Sequence, residues 1–136
     1  MHYKKQFFPL NIDHKTHIVV TSFYIEGYQS SHALLMALDT GSSITTISIA
    51  TAIALGLNPL KPKNKIEMIT ASGTEYIPIV IAPKIKFFGF ELKKVELGCA
   101  NLPPESRRIA GLIGLNVLKE FDLFLGFQSK KLIINA

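Results

Sequence analysis

The sequence predicts a small all-β fold, a closed barrel or a sandwich, interrupted by one or two short helices. Three observations carry this. Short apolar or alternating runs follow one another along most of the chain. Clusters of Gly, Ser, Asn and Lys separate them, and those residues favour turns. Only two stretches carry the apolar spacing and the start and stop residues of a helix.

Leu10–Ile12, His17–Ile25 and His32–Leu38 read as the first strands, with Glu26–Ser31 as a hairpin loop between the last two. Ser48 is placed to cap a helix over Ile49–Leu55, with Gly56 as its stop and Pro59 just beyond. Residues 57–65, with Pro59, Pro62 and three lysines, read as a loop inside one domain. Ile66–Thr70 and Tyr76–Ile81 flank Ala71, Ser72, Gly73 and Thr74, a hairpin with Gly near its tip. Ile85–Phe88 and Phe90–Glu96 flank Gly89. A second helix is expected from about Leu115 to Phe121, with Leu115, Leu118 and Phe121 on one face. Leu123–Phe127 and Leu132–Ile134 flank a turn at Gln128–Lys131. Period-2 patterning does not by itself choose between a barrel and a sandwich.

With 136 residues, 48% of them hydrophobic and 18% charged, the chain is expected to fold as one domain over residues 1–136. Its apolar runs are too short to cross a bilayer, so no membrane association is expected. The N-terminal residues lack the pattern of a secretory signal. A single cysteine, Cys99, excludes an intrachain disulfide and suits a reducing compartment; a cytoplasmic location is the expectation. Cys99 reads as a buried structural thiol, with no histidine near it in sequence. The net charge of +5 and pI of 9.4 invite a nucleic-acid reading, but the lysines and arginines are dispersed, and no nucleic-acid partner is expected. His2, His14, His17 and His32 lack metal-ligand spacing, no phosphate-binding glycine loop is present, and neither metal nor cofactor is expected.

Aspartate is scarce: Asp13, Asp39 and Asp122 are the only three. Asp13 and Asp122 occupy positions natural for turns. Asp39 ends the apolar run Leu34–Leu38 and precedes Thr40, Gly41, Ser42 and Ser43. A strand end would carry its carboxylate out of the core, and the glycine would let the backbone turn tightly behind it. Nearby amides and the Thr40 and Ser42 hydroxyls are candidates for orienting the carboxylate.

Ala37-Leu38-Asp39-Thr40-Gly41-Ser42 resembles the D-T-G-S signature of aspartic proteases. Three further matches strengthen the likeness: the stretch Ile44–Ile47 after the signature, the Gly-tipped hairpin where that family carries its flap, and Ala110–Asn116, which is similar to the family's hydrophobic-hydrophobic-Gly element. The likeness runs from about Leu10 to Ile134 in the family's order. Pepsin-like chains carry two signatures; this chain carries one, which resembles the retropepsins, and the cellular or bacterial type more than the viral.

The resemblance implies a retropepsin-type barrel and an aspartic endopeptidase that hydrolyses peptide bonds as a homodimer, with Asp39 from each subunit sharing the work. It implies an active-site loop of Asp39, Thr40, Gly41 and Ser42. A flap of Ala71, Ser72, Gly73 and Thr74 would bind peptide or protein substrate, and Leu112, Ile113 and Gly114 would support the catalytic loop. The alternative is a weak or inactive dimer of the same fold serving as a peptide-binding or scaffold module. Ile44, Ile47, Ile77 and Ile113 are expected to line apolar subsites. The acidic residue and the arginine that pair near the site in some viral retropepsins are both absent, replaced by Ser43-Ile44 and Leu115-Asn116. The terminal run Lys131–Ala136 is expected to present an open strand edge to a second subunit, in preference to closing its own barrel.

Overall fold

The structure is a computed structural model that describes residues 5–61, 64–70, 73–102 and 109–136. Its elements in chain order are β1 (Lys5–Pro9), β2 (Asn11–Ile12), β3 (Val19–Glu26), β4 (Ser31–Leu38), β5 (Thr46–Ser48), α1 (Ile49–Leu55), β6 (Asn64–Thr70), β7 (Gly73–Phe87), β8 (Phe90–Ala100), β9 (Gly111–Ile113), α2 (Leu115–Leu118), β10 (Asp122–Gly126) and β11 (Lys131–Asn135). No helix among the described residues is long and apolar enough to cross a membrane.

Eight strands pair in the order β2-β3-β4-β9-β5-β8-β7-β6, and a further β3–β7 pairing closes the inner six into a barrel. Closure rests on the length of β7. Its outer half pairs with β6, its inner half pairs with β8, and residues Lys84–Phe87 also pair with β3. Phe23 and Ile25 of β3 and Ile85 and Phe87 of β7 point inward and are fully buried, as alternation requires. The β7–β8 connection is the two-residue turn Phe88-Gly89, both at positive φ, the geometry that matches strand twist in a tight hairpin. Phe88 accepts this unusual backbone while its ring packs 4.7 Å from Phe8 and 4.8 Å from Phe87.

Helix α1 has its expected bounds. Ser48 Oγ accepts the Thr51 N–H, and Gly56 at φ 83 returns its own N–H to the helix end. Helix α2 is shorter than its pattern suggested: it ends at Leu118, and i to i−3 turns carry the chain to Phe121. Gly114 offers no side chain to cap it, and Asp122 is already committed to pairing with Asn135. Leu115 is 43% exposed and leaves the face it was expected to share; Leu118 is buried, and the Phe121 ring packs, tilted, 5.4 Å from both Phe87 and Phe90.

A second sheet, ordered β1-β11-β10, lies on the same core through Leu132 and Ile134. This overturns one expectation. Strand β11 has no open edge, because β1 occupies one side and β10 the other. It serves its own subunit, and truncation after Ser129 would remove buried core side chains, not only a contact between subunits.

Candidate active site

The site grows from one topological feature. Strands β4 and β5 are consecutive in sequence but are not neighbours; β9 lies between them, parallel to β4 and antiparallel to β5. The segment from Asp39 to Thr45 must therefore loop over the end of β9. It is pinned there at both ends: Asp39 donates its N–H to the Ile113 carbonyl at 3.0 Å, and Gly98 donates its N–H to the Thr45 carbonyl at 2.8 Å.

Within the loop the backbone folds back on itself. Gly41 N–H donates to Asp39 Oδ1 at 2.9 Å, and Ser42 N–H donates to the Asp39 carbonyl at 3.1 Å. The Asp39 side chain is half-buried, and Thr40 is exposed beside it. The Ser42 hydroxyl does not orient the carboxylate. It donates to the Ile44 carbonyl at 2.8 Å, bracing the turn behind it.

Leu112, Ile113 and Gly114 lie against the loop at close range. Leu112 pairs with Ala37 on one side and Thr46 on the other, and Ile113 pairs with Leu38. A methyl group on Gly114 would lie 2.5 Å from the Ile44 carbonyl carbon and 2.8 Å from the Ser42 carbonyl oxygen. Only a residue without Cβ allows that approach. Leu115 N–H then donates to Ser42 O at 2.8 Å, and Asn116 N–H to Ser43 O at 3.2 Å.

Two residues of the matched stretches Ile44–Ile47 and Ala110–Asn116, given no individual role from sequence, hold this junction together. Asn116 Oδ1 accepts both the Thr45 N–H at 2.7 Å and the Thr45 hydroxyl at 2.8 Å, and Asn116 Nδ2 donates to the Glu96 carbonyl at 2.8 Å. Thr45 Oγ1 in turn accepts the Gly114 N–H at 3.0 Å. Thr45 is fully buried. The available signal was two adjacent threonines inside an otherwise apolar run, since a buried hydroxyl needs a partner.

The β6–β7 hairpin extends beyond the six barrel strands. Its register pairs Thr70 with Gly73, so Gly73 opens the return strand at φ 127, and Ala71 and Ser72 lie outside the described residues. Gly73, Thr74, Glu75 and Tyr76 are all exposed, and Ile77 is the first buried residue of the arm. The foot of the arm meets the loop: a methyl on Gly98 would touch Ile77 Cδ1 at 2.7 Å and Ile44 Cγ2 at 3.4 Å. Ile44 and Ile77 are thus neighbours near the loop. Ile47 and Ile113 have no exposed surface and belong to the central core, so they line no open subsite.

The other candidate groups are accounted for elsewhere. Asp13 Oδ2 accepts the Thr16 N–H at 3.0 Å and hydroxyl at 2.8 Å, closing its own turn. Asp122 begins β10 in the second sheet. Cys99 is buried, and desolvation pushes its thiol up to about 11, which removes the thiolate at neutral pH. Among the described residues no group of three or more His, Cys, Asp or Glu side chains is placed to hold a metal.

Known proteins agree with this architecture. Residues 25–120 match the family described as "gag-polyprotein putative aspartyl protease". No curated protein matches by sequence. The retropepsin-like aspartic protease from Rickettsia conorii superposes with a TM-score of 0.73 at 16% identity, over 98% of this chain and 93% of that one. The EIAV protease, solved with the inhibitor HBY-793, superposes with a TM-score of 0.54 at 18% identity, over 81% of this chain and 93% of that one. The bacterial structure extends the likeness to nearly the whole chain, whereas the viral one omits about a fifth of it. With the family match spanning the signature loop, the supporting β9 turn and the hairpin between them, this chain belongs to the gag-polyprotein aspartyl protease family and has the retropepsin fold.

Proposed function

We propose that the protein is an aspartic endopeptidase that acts as a homodimer, with one Asp39 contributed by each subunit. The observation that supports this best is the setting of Asp39. It is the one signature carboxylate of the chain, half-buried on a loop whose backbone is bonded at almost every residue. Such a loop restricts the carboxylate to a narrow range of positions, as a catalytic acid or base requires.

Peptide hydrolysis by carboxylates needs two of them sharing one proton across a water molecule. Two carboxyl groups that close cannot both ionise cheaply, so the pair titrates as a unit. The ionised Asp39 removes a proton from the water as it attacks the scissile carbonyl carbon, and the protonated one donates to the carbonyl oxygen. The Gly41 N–H bonded to Oδ1 holds the carboxylate in place, and Oδ2 is the oxygen left for the water and the second carboxyl. Exposed Thr40 would bond across the two-fold axis, and the β6–β7 hairpin would close over an extended peptide and exclude water. Ile44 and Ile77 give the subsites an apolar character, favouring bulky hydrophobic residues around the scissile bond.

Asp39→Asn is nearly isosteric and keeps an acceptor for Gly41. The expected result is loss of cleavage of a peptide library, tested at acidic and neutral pH, with the fold unchanged by circular dichroism. Near-native turnover by this variant would remove Asp39 from the mechanism.

A further inference from the structure

Where α1 ends, the side of the barrel carries two adjoining hollows. One, of about 200 Å³, is lined by Tyr28, Lys61 and the β7 residues Ile79, Val80 and Ile81. The other, of about 220 Å³, is lined by Gln29, Ile53, Pro59 and Leu60. Gly56, Leu57 and Asn58 line both and form the wall they share. A cavity of about 150 Å³ takes up a benzene-sized group, so each hollow has room for one aromatic or branched side chain. We infer that this surface docks a segment of a partner protein in which bulky apolar side chains lie among acidic ones.

Leu60 is 79% exposed, Tyr28 74% and Ile53 49%. Single exposed apolar side chains are ordinary, but three of this size around adjoining hollows mark a contact surface. The surface is held in shape before anything binds. Gln29 N–H donates to the Leu55 carbonyl at 3.0 Å and the Ser30 hydroxyl to the Ala54 carbonyl at 2.7 Å, fixing the β3–β4 hairpin against the end of α1. Leu57 N–H donates to the Ala52 carbonyl at 2.9 Å, and Lys61 N–H to the Asn58 carbonyl at 3.3 Å. A preformed surface loses little freedom on binding.

Charge selects the partner. Among the described residues, Lys61 is the one charged side chain lining either hollow. In the sequence Lys61, Lys63 and Lys65 stand close together, and between Gly27 and Ile66 the only acid is Asp39. Glu96 stands opposite Ile81 on β8 but lines neither hollow, and Glu26 is set opposite Lys84. A basic rim on apolar hollows favours an acidic segment and repels a basic one. The surface is also remote from the carboxylate. Tyr28 precedes β4 and Asp39 follows it, and the eight residues of that strand span about 26 Å. It is therefore no subsite for the residues around a scissile bond, and it stands whether or not the chain cleaves peptides.

The test is selection of displayed random dodecapeptides on the full chain carrying Asp39→Asn, with affinities of the selected peptides read by fluorescence anisotropy. Selected peptides should combine bulky apolar residues with Asp or Glu. Leu60→Ser and Tyr28→Ser should each weaken their binding by about tenfold or more. Lys61→Glu should weaken it as well, and exchanging the peptide's acids for lysines should restore binding to that variant, a recovery that loss of fold would not produce. These three side chains are exposed, so the circular dichroism should stay native. Phe7→Ser, which removes an exposed ring from the second sheet, should leave binding unchanged. Peptides whose binding survives Leu60→Ser and Tyr28→Ser, peptides without acidic bias, or a selection that yields no binder would each overturn the docking surface. Because binding is read without turnover, each of these results leaves the shared-site mechanism to its own test.

Discussion

Replacing Asn116 with alanine tests how the loop that carries Asp39 is held. Asn116 Oδ1 is the acceptor for the Thr45 N–H at 2.7 Å and for its hydroxyl at 2.8 Å, and Thr45 has no solvent exposure. Truncation leaves a buried amide without a partner, costing about 1–3 kcal/mol. The hydroxyl loses its acceptor as well but can rotate, so its loss is closer to about 1 kcal/mol. The Nδ2 bond to the Glu96 carbonyl is less buried and adds about 0.5 kcal/mol. The sum is about 2.5–4.5 kcal/mol, a large part of the ~5–15 kcal/mol that stabilises an ordinary domain. Urea unfolding measures it. The same variant should lower kcat for peptide cleavage more than its stability loss explains under conditions where it is still folded, because the loop carrying Asp39 loses its tie to α2. Thr45→Val makes the second arm of a cycle, leaving the Gly114 N–H without the acceptor it has at 3.0 Å. The two changes should be non-additive by about 1 kcal/mol or more, since they share one bond network. A stability for Asn116→Ala within about 0.5 kcal/mol of the native chain, the usual range for surface substitutions, would refute the role of Asn116 in holding the loop.

Gly114→Ala places a methyl against the backbone of Ile44 and Ser42, neither of which is a flexible side-chain end; a loss of about 2–3 kcal/mol and impaired cleavage should follow, read by thermal denaturation and peptide turnover. Gly73→Val meets open space but forces a branched residue to φ 127, so strain of about 1–3 kcal/mol should alter the hairpin without unfolding the barrel. Turnover should fall while the circular dichroism stays native, and a peptide-inhibitor complex without contacts from residues 71–74 would remove the flap role. Cys99 should resist a thiol reagent at pH 8 in the native protein and react once unfolded. Its thiol pKa is raised from 9.0 to about 11 by burial, so the folded state favours the protonated form. That contribution is complete below pH 9 and fades between pH 9 and about 11, and comparison of native and Cys99→Ala unfolding across this window isolates it from the lysines and tyrosines titrating nearby.

Features set by neighbours in sequence were legible without coordinates. The Ser48 cap, the Gly56 stop and the break at Gly89 between two strands each depend on a few consecutive residues and could be read before folding was known, although Phe88, expected in the strand, belongs to the turn. The same holds for the D-T-G-S turn, whose Gly41 N–H reaches back only two residues to Asp39. Period-2 alternation marked Tyr76–Ile81 and Ile85–Phe88 as strands, which the structure joins into one β7, but alternation says nothing of which strand lies beside which. That β9 separates β4 from β5, and with it that the Asp39 loop must cross a strand end, emerged only from the folded chain. It alone showed that β11 is an inner strand, that Leu115 faces outward, and that Ile47 and Ile113 belong to the core and line no subsite. The Asn116–Thr45 bond joins residues 71 positions apart. Pairing over such distances is selected by the packing energy of the whole barrel, which no short stretch of sequence contains.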